Sequence, residues 1–158
     1  LFMNLTKEYL KLKFKEYNQI YFEGKLRMCN FSIYKTSTEL GRFTYGYSNN
    51  RSRIWIAQNP LNIDLKEWTE ELLKQTLVHE MIHYYVSDIL KVNTIFSPHG
   101  YHFRKVCRQI WKKHHYKVNP GTCCKRLFTI KQKPSPNFRE RLELLYLYPI
   151  NYILTWIF

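Results

Sequence analysis

The residues of this chain best suited to chemistry lie in one run, "LVHEMIHYYVSDIL", which begins at Leu77. His79 and His83 are four positions apart, and Glu80 follows the first of them. On a helix, positions i and i+4 stand one turn apart on the same face, so two imidazoles at this spacing can reach one ion. Neutral imidazole nitrogen suits zinc. Glu80 falls to one side of that ion, where a carboxylate can take a proton from a metal-activated water. His-Glu-x-x-His on a helix is the pattern of a metal-dependent peptidase with the glutamate as general base.

Two histidines do not hold a catalytic zinc. Such centres take three protein ligands and keep a fourth position for water. The other histidines are His99, His102, His114 and His115, with Glu70 and Asp88 as carboxylate alternatives. His99 comes just after the loop that follows the motif, and a short loop can fold the next helix back across the metal. His102 is one turn further on and could serve instead, or hydrogen-bond to a ligand. His114 and His115 sit at a lysine-rich helix end and read as solvated or phosphate-facing surface.

The elements that must position these groups are legible as periodicities. Apolar residues recur at helical spacing from Trp68 to Leu90, with Asp64 or Thr69 as the N-cap. A following helix, about 100–115, has an apolar face of Phe103, Val106, Cys107, Ile110 and Trp111. Residues 5–21 read as an amphipathic helix with Leu10, Phe14, Tyr17 and Tyr21 on one stripe and Gly24 as its stop. Between them lie three β-like runs, "CNFSIYKT", "GRFTYGYS" and "SRIWIAQ", the last two joined by "YSNNRS" as a hairpin. One more strand, "RLFTIKQK", is expected before the joint "KPSPN", and a short helix with the apolar tail "LLYLYPINYILTWIF" after it. The pattern is α+β, with a small antiparallel sheet.

"HEMIHYY", then a loop, then "HGYHF", resembles the SprT-like metalloprotease domain, which includes the Spartan proteases. That family joins HExxH to a downstream H-G-x-x-F, matched here by His99, Gly100 and Phe103. "YNQIYFEGKL", "LGRFTYGY" and "IWIAQNPL" are similar to its N-terminal helix end and its sheet, so the resemblance spans about residues 9–115. It implies a zincin-like fold; the expected domain is 3–133, and beyond the Pro-rich joint 134–158 is expected as a C-terminal helix and tail. It also implies one catalytic Zn²⁺ held by His79, His83 and His99, with Glu80 as the catalytic base. The implied activity is peptide-bond hydrolysis through a metal-activated water, on proteins bound or crosslinked to DNA. The substrate is expected to lie extended beside a sheet edge, for which "SRIWIAQ" is the expected strand. A donor for the oxyanion is needed; Tyr84, Tyr85 and Tyr101 are near in sequence, which does not choose among them, and each reads better as a core tyrosine.

Charge points the same way. The 158 residues contain 25 Lys+Arg against 12 Asp+Glu, a net charge of +13, which favours an anionic partner. Lys112, Lys113, Lys117, Lys125 and Arg126 cluster after the third candidate ligand, interleaved with Trp111, Tyr116 and Phe128 that could stack on exposed bases. Single-stranded DNA is the favoured nucleic acid. The alternative is a basic nucleic-acid-binding domain whose zinc is structural or non-catalytic, and retention of Glu80 speaks against it. A peptidase with small-protein or self substrates is a further alternative.

Many members of the resembled family carry a zinc ribbon made of two Cys pairs. Here only the adjacent Cys123 and Cys124 are offered, near His114 and His115, and they are expected to be structural or free thiols. Together with Cys29 and Cys107 they form no disulfide framework, so a reducing compartment is expected. "LFMNLTKEYL" shows no secretory leader, and Met3 is the expected native start. The apolar tail is broken by Pro149 and Asn151, is short for a membrane span, and is expected to pack or be covered by a partner. Lys-, Asn-, Ile- and Tyr-rich usage is that of an AT-rich genome, so the expected setting is a bacterial or phage-encoded cytoplasmic protein, with nucleoid association.

Overall fold

The computed structural model describes residues 5–36, 38–46, 52–60, 67–94 and 97–120. The strand and helix expected after residue 120, the apolar tail, the "NN" turn, and Cys123, Cys124, Lys125, Arg126 and Phe128 lie outside the described residues. So does the expected boundary at 133/134. Among the described residues, no helix is long and apolar enough to cross a membrane.

The elements run α1 (Lys7–Phe22), β1 (Asn30–Tyr34), β2 (Gly41–Thr44), β3 (Arg53–Ala57), α2 (Glu70–Tyr84), a π-helical turn (Tyr85–Ile89) and α3 (Tyr101–His114). The class is α+β, as the periodicities predict. Helix α1 starts at Thr6, whose hydroxyl accepts from the Tyr9 amide. Its stripe of Leu10, Phe14 and Tyr17 is buried, as the spacing requires. It ends at Glu23 and Gly24, both at positive φ, so the predicted glycine stop comes one residue after the left-handed cap begins. Asn18 closes this corner: its amide donates to the Leu26 carbonyl at 2.8 Å, and its oxygen accepts from the Leu26 N–H at 3.1 Å.

The sheet is mixed, not wholly antiparallel. Its order is β1-β3-β2, with β1 parallel to β3 and β2 antiparallel to it. The chain passes from β1 to the far edge and returns through the middle. Strand composition carries no record of direction, so sequence could not separate this path from a meander. A second correction follows from the order. "SRIWIAQ" forms β3, the central strand, and not an edge. Ile54, Ile56 and Ala57 are fully buried, and β3 is paired on both sides. The edge beside the candidate site is β2.

Helix α2 opens at Thr69, whose hydroxyl accepts from the Leu72 amide at 3.2 Å, which settles the choice of N-cap. It carries Leu72, Leu73, Leu77, Val78, Met81 and Ile82 into the core, between the sheet and α1 and α3. Regular α-helix stops at Tyr84, earlier than the predicted Leu90, and the chain widens into the π-helical turn directly after His83. Such turns gather at functional sites. Trp68 anchors the entry to α2 by donating its indole N–H to the Ala57 carbonyl at 3.0 Å.

Candidate metal centre

Helix α2 places His79 and His83 one turn apart. The loop and the start of α3 bring His99 to the same point. The three Nε2 atoms form a triangle with sides of 2.9 Å (His79–His99), 3.1 Å (His83–His99) and 3.2 Å (His79–His83). Among the described residues this is the group of His, Cys, Asp and Glu side chains close enough to hold an ion. His102 is not part of it. That ring is exposed and lies edge-on to Tyr101, with centroids 5.2 Å apart. His114 packs edge-on to Tyr21 at 5.3 Å, away from the triangle.

The donor set fits a cation. The Asn119 carbonyl lies 3.0 Å from His79 Nδ1 and accepts a proton there, which leaves Nε2 as a bare lone pair. Burial, and then His99, pushes the His79 pKa down to about 4. Burial, and then His79 and His99, pushes His83 down to about 3. Burial, and then Arg104, lowers His99. The rings are therefore neutral near pH 7. Each Nε2 is either bare or protonated, so at least two of the three are alike. At least one side of the triangle then sets lone pair against lone pair, or proton against proton. An ion at the centre removes that conflict, because it wants three bare nitrogens. A tetrahedral zinc with nitrogens at 2.0–2.1 Å would hold them roughly 3.3 Å apart, close to the spacing found.

Phe103 is the floor of this cluster. Its ring centroid is 4.8 Å from His79, 4.5 Å from His83 and 4.8 Å from His99, and the side chain is buried. One aromatic face thus limits the rotation of all three imidazoles. The backbone of His99 is held as well: the Arg104 Nε–H donates to the His99 carbonyl at 2.9 Å. Gln75 donates to the Lys117 carbonyl at 2.9 Å and tethers the segment that carries Asn119 to α2. Helical spacing put Phe103 on a core face. Its role as a platform, and those of Asn119, Gln75 and Arg104, depend on contacts that no local pattern encodes.

Glu80 is buried between α2 and β2. Burial first, then the negative charge of Glu39, pushes its pKa up to about 8, against a hydrogen bond from the Phe43 backbone. The carboxylate and the three histidines open into a cleft of about 510 Å³, also lined by Gly41, Arg42, Tyr45, Ser87 and Asn119. The tyrosines near the motif in sequence do not line the cleft. Tyr84 is buried and stacks on Phe43 at 5.4 Å, Tyr85 packs on Phe22 at 5.6 Å, and Tyr101 is exposed away from the cleft lining. Tyr45, at the end of β2, is the tyrosine that lines the cleft.

The nucleic-acid candidates divide. Lys112 and Lys113 are exposed on α3, and Lys113 pairs with Glu23 at 2.6 Å. Lys117 is exposed beyond the helix. Tyr116 is not a free stacking ring: it stacks on Tyr21 at 5.3 Å and lies under the Lys74 ammonium at 4.3 Å.

No curated protein matches this chain. The sequence profile of the SprT-like family matches residues 10–124, a span that includes most of α1, the sheet, the HExxH helix and His99. A candidate three-histidine metal site within such a domain is a metalloprotease-type arrangement. The chain belongs to the SprT-like family.

Proposed function

We propose that the protein is a zinc-dependent metalloendopeptidase that acts on DNA-associated proteins. The observation that carries this reading is the convergence of three imidazole nitrogens beside a buried glutamate in an open cleft. His79, His83 and His99 would hold the ion, and a single Zn²⁺ is the metal that the all-imidazole donor set and the family favour. A zinc ion bound there would supply Lewis acidity toward a peptide carbonyl and make water acidic at neutral pH.

The chain's own residues supply the remainder. Glu80 takes the proton of the attacking water on its carboxylate and returns it to the leaving amine. Burial keeps that proton close by, and a divalent charge beside it favours the carboxylate form needed to begin the cycle. The exposed edge of β2 offers backbone groups to an extended substrate. Tyr45, which lines the cleft just beyond the same strand, is the candidate donor to the developing oxyanion. The excess of positive charge supports a DNA-associated substrate, and a cytoplasmic setting suits the buried free thiols of Cys29 and Cys107.

The test is cleavage of casein, or of the protein itself, with and without single-stranded DNA. Glu80→Gln and a zinc chelator serve as controls. The proposal expects cleavage that both controls abolish and that DNA raises. Zinc and DNA binding without any cleavage would overturn it in favour of a binding domain. Cleavage indifferent to DNA and salt would retain the peptidase and remove the DNA-associated substrate.

A further inference from the structure

The ladder between β2 and β3 fixes which backbone groups of the edge strand are left for a substrate. The Ala57 amide donates to the Leu40 carbonyl at 2.9 Å, and Leu40 and Ala57 continue the pairing of Gly41 with Ile56. Antiparallel pairs alternate between hydrogen-bonded and non-hydrogen-bonded. Arg42 and Thr44 therefore spend their backbone groups on β3, whereas Gly41 and Phe43 turn theirs outward. The Phe43 N–H is already engaged there, donating to the Glu80 carboxylate. The N–H and C=O of Gly41 and the C=O of Phe43 remain on the free edge.

Side chains alternate as well. Gly41 and Phe43 face α2: Thr76 and Glu80 close the space at Gly41, and Phe43 stacks on Tyr84. Arg42 and Thr44 face the other side of the sheet, with Trp55 as the register partner of Arg42 and its indole N–H on the Thr44 hydroxyl at 3.2 Å. A peptide paired to Gly41 thus sends one side chain to the helix side and the next to the outer side, beside Arg42. Among the described residues, Arg42 is the one Lys or Arg that lines the metal cleft. It pairs with Glu39, and the same Glu39 oxygen accepts from the Tyr34 hydroxyl at 2.7 Å. The pair is not symmetrical toward solvent: the Arg42 side chain is 57 % exposed and that of Glu39 is 27 % exposed. One amino group of Arg42 reaches Glu39, which leaves most of the guanidinium's N–H donors for another partner.

We propose that Arg42 is a specificity-determining residue, which selects an aspartate or glutamate side chain at the substrate position beside it on the β2 edge. The proposal rests on the peptidase reading above and names the side chain that its cleft prefers. A planar guanidinium meets a carboxylate with two parallel hydrogen bonds, so the choice is for a carboxylate and not for polar groups in general. A lysine at the same substrate position would meet the exposed cation first, with Glu39 screened behind it by Arg42 and Tyr34. Glu39 in turn holds Arg42 at the rim, where its remaining donors face the incoming strand.

The experiment uses the full chain and end-blocked fluorogenic peptides, with single-stranded DNA present throughout and casein as a reference substrate. A parent peptide without charge near the cut carries Glu, Gln or Lys at each flanking position in turn. At one position the wild type should cut the Glu peptide with a kcat/KM about fivefold above that of the Gln peptide, the scale of a well-placed exposed ion pair, and with a smaller difference elsewhere. Arg42→Gln should remove that difference, and Arg42→Glu should favour the Lys peptide at the same position. Ratios taken within one variant cancel any change in folding or catalytic rate. A Glu preference equal at every position would overturn the proposal, since net charge alone would account for it. A preference that survives in Arg42→Gln would overturn it too. A wild-type preference for Lys would do the same and give the selection to Glu39. Casein cleavage with Glu, Gln and Lys peptides treated alike brings down the selection alone. Failure to cut casein or any peptide brings down the peptidase reading, and the selection with it.

Discussion

A methyl group placed on Gly41 would lie 3.0 Å from Oε1 of Glu80 and 2.9 Å from Cγ2 of Thr76. Strand β2 therefore rests on α2 with no room for a side chain between them, and the carboxylate is held beneath the strand edge that faces the cleft. Gly41→Ala must either lift β2 or turn Glu80. The expected destabilisation is about 1–3 kcal/mol. Cleavage should fall roughly 10- to 100-fold, since small displacements of a catalytic group are expensive. Zinc content should be unchanged, because the atoms nearest a Gly41 side chain belong to Thr76 and Glu80 and not to the three histidines. Paired measurements of thermal unfolding, zinc content and peptidase rate check this. Loss of zinc with activity would place the effect at the ligands instead.

Gln75 bridges α2 to the segment that supplies the Asn119 carbonyl to His79. Removing the tether should loosen the group that fixes the His79 tautomer. Gln75→Leu is expected to weaken zinc binding by about tenfold, at the lower end of what outer partners of ligating histidines contribute. Competition against a chelator reads this directly. An unchanged affinity would show that the carbonyl is held without help from Gln75.

Asn18 makes both of its amide hydrogen bonds to the Leu26 backbone at a buried corner far from the metal ligands in sequence. Asn18→Ala strands one buried N–H and one carbonyl. The expected loss is about 2–3 kcal/mol of stability, with the zinc affinity of the folded protein unchanged. Chemical denaturation with zinc saturated throughout is the measurement.

Cys29 and Cys107 are buried, and burial pushes each thiol up to about 12. Neither has appreciable thiolate at neutral pH, so neither should react with an alkylating reagent until the domain unfolds. Mass spectrometry of the alkylated native protein checks this. Rapid labelling of either residue would mean that the core opens readily.

How far the sequence could be read depended on the range of the information. His79 and His83 were legible because their relation is local, fixed by one helical turn. Thr69 as a cap, and the stripe of Leu10, Phe14 and Tyr17, were legible for the same reason. His99 lies sixteen residues beyond His83, and the spacing alone left His102 open as an alternative. Only the resemblance chose between them, and the fold brings His99 to the triangle. Sheet order was beyond reach: the alternation in β3 marks a strand with one buried face but does not say whether one or both of its edges are paired. That is why β3 was expected at the cleft, where β2 stands. Tyr84 and Tyr85 pack toward the core, the reading their positions favour, and nearness to His83 in sequence does not bring them to the cleft. The Phe103 platform, the Asn119 carbonyl and the close approach at Gly41 are tertiary contacts.

The most direct test of the account is zinc stoichiometry, measured by atomic emission on the purified wild type and on His99→Ala after dialysis against a weak chelator. The account predicts one zinc per wild-type chain and near-complete loss in the variant, with the fold retained by circular dichroism. Equal zinc in both proteins, or none in the wild type, would contradict it.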